Sequence, residues 1–188
     1  MNRIIAIVGM CGSGKSIASE YYENLGWPKV YFGGVTMDVL KEEGLEVNPA
    51  NERMIRERLR KDYGMGAYAI LLLPKIEEYA SKGNVVLDGL YSWDELKILK
   101  EKFGEKFAVI SIVVDKNIRY DRLETRDIRP FNNVEANTRD VTEIENLAKG
   151  GPIAFADYYI LNNGDLNEYM KELKRITSEI LEGDKKWI

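Results

Sequence analysis

Apolar positions fall along the chain in two alternating rhythms. Short runs that are apolar at nearly every position, at residues 3–8, 29–32, 84–88, 107–114 and 158–161, predict strands. Between them apolar residues recur every three or four positions, which predicts helices. Ile17, Ala18, Tyr21, Tyr22 and Leu25 make one such stripe, and Gly26 stops it. Leu96, Leu99 and Phe103 make another, opened by Ser92 and Glu95 at the spacing of a capping box. Leu166, Tyr169, Met170, Leu173, Ile176 and Ile180 form the last. Runs such as Val109-Ile110-Ser111-Ile112-Val113-Val114 suit strands covered by helices on both faces. The alternation predicts a parallel sheet in a single three-layer α/β domain.

Two stretches break the rhythm. Residues 49–82 are helical in pattern but interrupted by Gly64, Gly66 and Pro74, which predicts two helices, the second kinked near the proline. Residues 126–151 are polar, contain Pro130, Asn132 and Asn133, and end in Gly150-Gly151-Pro152. Each stands where an insertion could close over a ligand.

Composition narrows the function classes. The 188 residues, 45% of them hydrophobic, suffice for one sizeable core. A net charge of −4 and a pI near 5.2 argue against a broad electrostatic grip on nucleic acid. The apolar opening is too short to span a membrane and lacks the form of a signal peptide, so a cytoplasmic protein without a membrane partner is expected. The single cysteine, Cys11, excludes an internal disulfide, and the lack of histidine removes the commonest metal ligand and the usual neutral-pH base.

The chemistry centres on Gly9-Met10-Cys11-Gly12-Ser13-Gly14-Lys15-Ser16, a G-x-x-x-x-G-K-[ST] phosphate-binding loop directly after the first strand. Its glycines let backbone N–H groups converge on phosphates, Lys15 reaches the β- and γ-phosphates, and the Ser16 hydroxyl is a Mg²⁺ ligand. The helix that begins with Lys15, Ser16 and Ile17 aims its positive end at the same anion. Gly9, Gly12, Ser13, Gly14, Lys15, Ser16 and Ile17 therefore form the expected ATP-binding set. Cys11 is a bystander, because the motif accepts any residue there.

A second landmark is Asn84-Val85-Val86-Leu87-Asp88-Gly89, an apolar strand ending in a carboxylate that can hold Mg²⁺ directly or through water. Asp115 also ends an apolar strand, but it leads straight into a charged helix, so Asp88 is the preferred metal residue. Arginines supply the third. Arg53, Arg56, Arg58 and Arg60 form one group, with Glu52, Glu57 and Asp62 at hand as partners. Arg119, Arg122 and Arg126 share a helix face that runs on toward Arg129 and Arg139. Guanidinium forks at Arg122 and Arg126 suit a phosphoryl group in flight.

This order of motifs, closed by Ala156-Asp157-Tyr158-Tyr159-Ile160-Leu161-Asn162-Asn163-Gly164, resembles the nucleoside monophosphate kinase group of P-loop proteins. The likeness is greatest to the adenylate-kinase-related proteins best known from archaea, which also resemble dephospho-coenzyme A kinases. The resemblance implies a five-stranded parallel core, a small acceptor-binding insertion around 34–80 and a lid around 122–150. It also implies that Arg122 and Arg126 lie at the lid base, with Arg129 and Arg139 as lid candidates, and that Asn163 and Gly164 lie near the adenine. Two departures matter. Where adenylate kinases grip the acceptor phosphate with arginines this chain has Met37 and Tyr91, leaving Arg53 or Arg56 as substitutes. Where dephospho-coenzyme A kinases have aspartates it has Gly33-Gly34.

The expectation is an ATP- and Mg²⁺-dependent phosphotransferase acting on a small-molecule acceptor, with Lys15, Asp88, Arg122 and Arg126 catalytic and Met37, Arg53, Arg56 and Tyr91 around the acceptor. A dephospho-coenzyme A kinase-like enzyme and a non-catalytic ATP-binding regulatory or partner-binding module stand as alternatives. A GTPase does not, since Asn162-Asn163-Gly164-Asp165 lacks the lysine of a guanine-reading motif.

Overall fold

The most apolar strand lies at the centre of the sheet. In the computed structural model, which describes residues 1–183, β1 (Ile4–Val8) is buried at every position and pairs in parallel on both sides. The chain continues through α1 (Lys15–Asn24), β2 (Lys29–Tyr31), α2 (Gly34–Glu42), α3 (Pro49–Tyr63), α4 (Ala67–Lys82) and β3 (Val85–Asp88). It then forms α5 (Trp93–Phe103), β4 (Phe107–Val113), α6 (Lys116–Thr125), α7 (Asn133–Leu147), α8 (Gly150–Ala154), β5 (Tyr158–Leu161) and α9 (Leu166–Glu182). Among the described residues the sheet has five strands, all parallel, in the order β2-β3-β1-β4-β5.

The period-2 alternation of the strands divides the interior into two cores. Ile4, Ala6 and Val8 face one way, with Val85, Leu87 and Val109, against Leu40, Ile55, Leu72, Ile76 and Leu99 of the helices α2 to α5. Ile5 and Ile7 face the other way, with Val86, Ile110 and Ile112, against Ala18 and Tyr22 of α1 and Leu173, Ile176 and Ile180 of α9. Each large aliphatic side chain buried in this way contributes roughly 1.5–3 kcal/mol, so both helical layers are held mainly by apolar contact. The register sets Asp88 beside Ile7, which brings the end of β3 level with the end of β1.

Gly64, at φ 77°, and Gly66 separate α3 from α4, as the interrupted pattern predicts. Pro74 lies inside α4, which runs on past it from Ala67 to Lys82. The ring removes the N–H that the carbonyl of Ile70 would accept. Ile70 is 40% exposed, so water can reach that region of the helix. The polar stretch 126–151 is largely helical. Asn132 and Glu135 close a capping box that starts α7, whose buried residues are Ala136, Asp140 and Glu143. A helix that buries two carboxylates shows no apolar stripe in its sequence, and a third small core of Tyr120, Leu123 and Ala136, with Cys11 and Phe131 against it, seats it. Among the described residues no helix is long and apolar enough to cross a membrane.

The interior proline of α4 generates the first prediction. Pro74→Ala restores a helix donor on a wet face and should raise unfolding stability by about 1–3 kcal/mol. An unchanged or lowered thermal midpoint would show that α4 already accommodates the ring without loss.

Candidate active site at the phosphate loop

The loop between β1 and α1 owes its path to glycine at two tight positions. Gly9 has φ 148°, and a Cβ there would stand 2.5 Å from the carbonyl oxygen of Ile112. Gly14 has φ 95°, and its Cβ would stand 2.6 Å from Asn162 Nδ2. The same Asn162 donates to the carbonyl of Ser13 at 2.9 Å, and the Tyr169 hydroxyl of α9 donates to the carbonyl of Gly14 at 3.1 Å. Every peptide among the described residues is trans, and a trans peptide points its C=O and the following N–H in opposite directions. Drawing the Ser13 and Gly14 carbonyls toward β5 and α9 therefore turns the N–H groups of Gly14 and Lys15 the other way. Ser13 Oγ is buried without a hydrogen-bond partner. A tight glycine path, opposed amides and an orphaned hydroxyl fit a bound phosphate.

Lys15 starts α1 and donates through Nζ to the carbonyl of Met10 at 2.9 Å. Burial, and next the Lys149 ammonium, pull Lys15 down to about 8, while Cys11, Glu143 and Asp88 push back. Asp88 thus faces the loop lysine from β3. Asp115 stands at the end of β4 as the N-cap residue of α6, its N–H taken by Asn163 Oδ1 at 2.9 Å. Ser16, exposed in the first turn of α1, and Asp88 are the oxygen donors that could hold a divalent cation here. A hydroxyl and a carboxylate are hard oxygen ligands of the kind Mg²⁺ takes, with waters and phosphate oxygens completing its shell. Ile17, 36% exposed, follows in that turn. Gly164 lies under the Glu168 carboxylate, 2.1 Å from where its Cβ would stand.

The segment expected as a lid is tied to the loop by arginines. Arg119 is buried and forks Asp140 of α7, with Nη1 to Oδ1 at 3.1 Å and Nη2 to Oδ2 at 2.6 Å, and Nη1 also donates to the carbonyl of Cys11 at 3.0 Å. Arg122 Nη2 donates to the carbonyl of Asn162 at 3.0 Å, joining α6 to the end of β5. Arg126 stacks 4.6 Å from the Phe131 ring, donates to the carbonyl of Arg129, and has Nη1 4.0 Å from Cys11 Sγ. Arg129 is exposed with φ 51° and lies 3.8 Å from the buried Glu52 of α3. Arg139 donates from Nε to Glu143 Oε1 at 2.7 Å, and Lys149 pairs with the other oxygen of Glu143. Burial alone would raise Glu143, but Lys149 and Arg139 outweigh it and hold the carboxyl below its ordinary value.

Where the acceptor is expected, three arginines of α3 are paired with glutamates. Arg53 is exposed and bonded to Glu57, Arg56 is bonded to Glu52, and Arg58 forks Glu43. Met37 packs against the apolar core under α2. The Tyr91 ring carries Lys149 Nζ at 4.4 Å from its centre, and burial, with Glu143 nearby, pushes its hydroxyl up. At Gly33 a Cβ would stand 2.4 Å from the Tyr31 hydroxyl, so a phenol fills the space into which a side chain at 33 would project.

Lys15, Asp88, Tyr91 and Arg139 thus lie within electrostatic reach of a common pair, Glu143 and Lys149, or of one another. Arg126 reaches Cys11 and Arg122 reaches Asn162, whereas Arg53 is bonded to Glu57 and Met37 packs on the core. Glu143, Lys149, the Arg119–Asp140 fork and the Asn162 clamp belong to the same site and carry no motif of their own. Of these, the sequence marks Arg119, on the face shared with Arg122 and Arg126, and Asn162, in the closing segment; for Glu143 the signal is its spacing of four from Arg139 on a helix.

A family model described as AAA domain matches residues 5–140. A UPF0200 protein of Thermococcus gammatolerans is 32% identical over 186 residues, covering 96% of each chain. A UPF0200 protein of Methanosarcina mazei is 34% identical over 186 residues, covering 98% of each. Among solved structures, TT1252 from Thermus thermophilus is similar with a TM-score of 0.67 at 18% identity, over 95% of this chain and 97% of that one. A shikimate kinase from Acinetobacter baumannii gives 0.60 at 18% identity, over 99% and 97%. A gluconokinase from Sinorhizobium meliloti gives 0.56 at 16%, over 98% of each chain. At these identities the solved structures share the fold, an α/β P-loop kinase architecture with helices flanking a parallel sheet, as the sequence predicts.

Beneath the site, Glu95 Oε2 accepts from the N–H of Tyr91 and of Ser92, both at 2.9 Å, and so sets the turn that presents Tyr91. Burial pushes this carboxyl up to about 7, against the two N–H groups and Arg60. A folded-state value above the unfolded 4.5 means that the folded protein holds the proton more tightly. Its contribution to stability is complete below the unfolded value and is lost as pH rises through the folded one. Glu95→Gln keeps an acceptor oxygen without the charge, so its stability relative to wild type should improve by about 1–3 kcal/mol between pH 4.5 and 7.5. Denaturant unfolding at both pH values checks this, and a pH-independent difference would show that Glu95 is not the titrating group.

Proposed function

The chain belongs to the UPF0200 family and to the AAA-domain P-loop proteins, and from that premise we propose that it is an ATP- and Mg²⁺-dependent phosphotransferase for a small-molecule acceptor. The convergence of Lys15 at the phosphate loop with Asp88 from β3 and with the arginines of the lid supports this reading best. Gly9 to Ser16 hold the triphosphate, and Ser16 and Asp88 hold the metal. Bound Mg²⁺ supplies charge neutralisation across the β- and γ-phosphates. Lys15 holds a phosphate oxygen, and Arg126, whose Nη1 lies 4.0 Å from Cys11 Sγ, turns from the Arg129 carbonyl to the transferring group. Arg122 and Asn162 order the segment before Asn163 and Gly164, beside which the adenine would lie. Catalysis comes from alignment and electrostatic stabilisation, with no covalent role for the protein.

The acceptor chemistry departs from that of an ordinary nucleoside monophosphate kinase. Arg53 and Arg56 are engaged by glutamates and Met37 is turned to the core, which leaves little fixed positive charge for an acceptor phosphate. A dephospho-coenzyme A kinase-like reaction would need a base that Gly33 does not supply, with Tyr31 in its place. The same shortage of unpaired cations suits a binding module that holds ATP without transfer. ADP release that depends on an added acceptor separates catalysis from binding.

Lys15→Ala should abolish that ADP release with little change in thermal stability, since Lys15 packs in no core. Asp88→Asn should lower turnover at least tenfold, and Asp115→Asn much less, read by a coupled assay across an acceptor panel. The opposite ranking would move the metal residue to the end of β4. Arg126→Lys keeps the charge and loses the fork, so it should reduce turnover more than it weakens ATP binding. Full turnover in that variant would mark Arg126 as a surface cation. AMP should be a poor acceptor in the panel. Efficient AMP phosphorylation with Arg53→Ala and Arg56→Ala both fully active would place the acceptor pocket elsewhere.

A further inference from the structure

Lys149 is a buried charge to which the phosphotransferase reading assigns no task. It precedes α8, is 2% exposed, and pairs with Glu143, itself 3% exposed. Its ammonium lies 4.4 Å from the centre of the Tyr91 ring, and of all charged groups it acts most strongly on Lys15. Lys149 therefore sits between the lysine of the donor side and the tyrosine at the head of the acceptor side.

A purely structural purpose explains this poorly. Buried ion pairs are weak sources of stability, because desolvation offsets their attraction. Glu143 already has a cation in Arg139 and does not need a second for neutrality. An ammonium close enough to depress Lys15, and itself lowered by burial and by Arg139, raises the cost further. The arrangement matches a polyanion held between them. A terminal phosphate carries roughly 1.5–2 negative charges near neutral pH and three strong acceptor oxygens, more than one carboxylate offers.

We propose that Lys149 is a further phosphoryl-contacting residue of the site: it exchanges the Glu143 carboxylate for a γ-phosphate oxygen of ATP and holds that group from the side opposite Lys15. Glu143 is then the resting partner that competes with the phosphate for Lys149, with Arg139 as its remaining partner after the exchange. No bond to the lysine forms, and the contact is a charge-assisted hydrogen bond. The inference rests on the assignment of the loop to ATP and adds the residue that distinguishes a triphosphate from a diphosphate.

The test is calorimetric titration of the full chain with Mg²⁺ and either ADP or the non-hydrolysable β,γ-imido analogue of ATP. Lys149→Met should weaken the triphosphate analogue at least tenfold and ADP less than threefold, and Lys149→Arg should restore most of the loss. Glu143→Gln removes the competing carboxylate and should tighten the analogue several-fold while leaving ADP nearly unchanged. Should Lys149→Met fail to fold, the Glu143→Gln, Lys149→Met double variant replaces the ion pair with a neutral pair and should show the same selective loss relative to Glu143→Gln. Equal losses for both nucleotides, or none, would overturn the role of Lys149 while leaving the nucleotide site standing. Failure of wild type to bind either nucleotide, with Lys15→Ala indistinguishable from it, would overturn the phosphotransferase reading itself.

Discussion

A peptide plane can turn only one of its polar groups toward a given side, and the site depends on how that choice is made at Ser13 and Gly14. Asn162 at the end of β5 and Tyr169 on α9 take the two carbonyls, so the succeeding amides face away from them. Neither residue belongs to the phosphate-loop motif. Both come from the last quarter of the chain, so the loop acquires its shape only when β5 has paired with β4 and α9 has docked. The close approach of Asn162 to Gly14 also explains why that position has no side chain.

Around this loop the protein concentrates charge at low exposure, and it does so with two kinds of pairing. The Arg119–Asp140 fork is geometrically complete, with both carboxylate oxygens bonded, a third contact to the Cys11 carbonyl and the Tyr120 hydroxyl alongside. Breaking such a pair strands a buried charge, so it holds α7 to α6 as a permanent lock. Glu143 is bonded differently: its two oxygens go to two separate cations, neither of which forms a fork. One cation can leave while the other still neutralises the carboxylate. The helix α7 therefore has a fixed point at Asp140 and an exchangeable one at Glu143, less than one turn further along the same helix.

Much of the fold was legible because apolar periodicity and packing agree. All five strands lie within a residue of the runs that announce them, since β1, β3 and β4 are buried and apolar along most of their length and the edge strands β2 and β5 keep an alternating buried position. The capping box of α5 was legible for a local reason, Ser92 and Glu95 being close in sequence and bonded to one another. The lid helix was not, because its buried positions Asp140 and Glu143 read as solvated charges until their partners are known. The same limit applies at the site. Lys15 and Asp88 stand in patterns that carry their chemistry, whereas Lys149 lies in a glycine-rich exit segment and acquires meaning only through Glu143 and Tyr91. Cys11, dismissed as a bystander on motif grounds, packs against the small core that seats the lid.

The arginines of α3 show how resemblance and local chemistry divide the acceptor question. A guanidinium bonded to a glutamate four residues away on an exposed helix has lost little freedom, and such solvent-screened pairs contribute little to stability. An incoming phosphate could therefore take Arg53 from Glu57 at small cost. Arg56 is different, because Glu52 is buried and its second oxygen has only Arg129 of the lid, at 3.8 Å, to turn to. Removing Arg56 from Glu52 would leave a buried carboxylate dependent on a long contact across two elements, so an acceptor anion at Arg56 must draw Arg129 inward to compensate. An anion drawn to Arg56 and the position of Arg129 would in this way be one equilibrium, with Glu52 as the group through which each bears on the other.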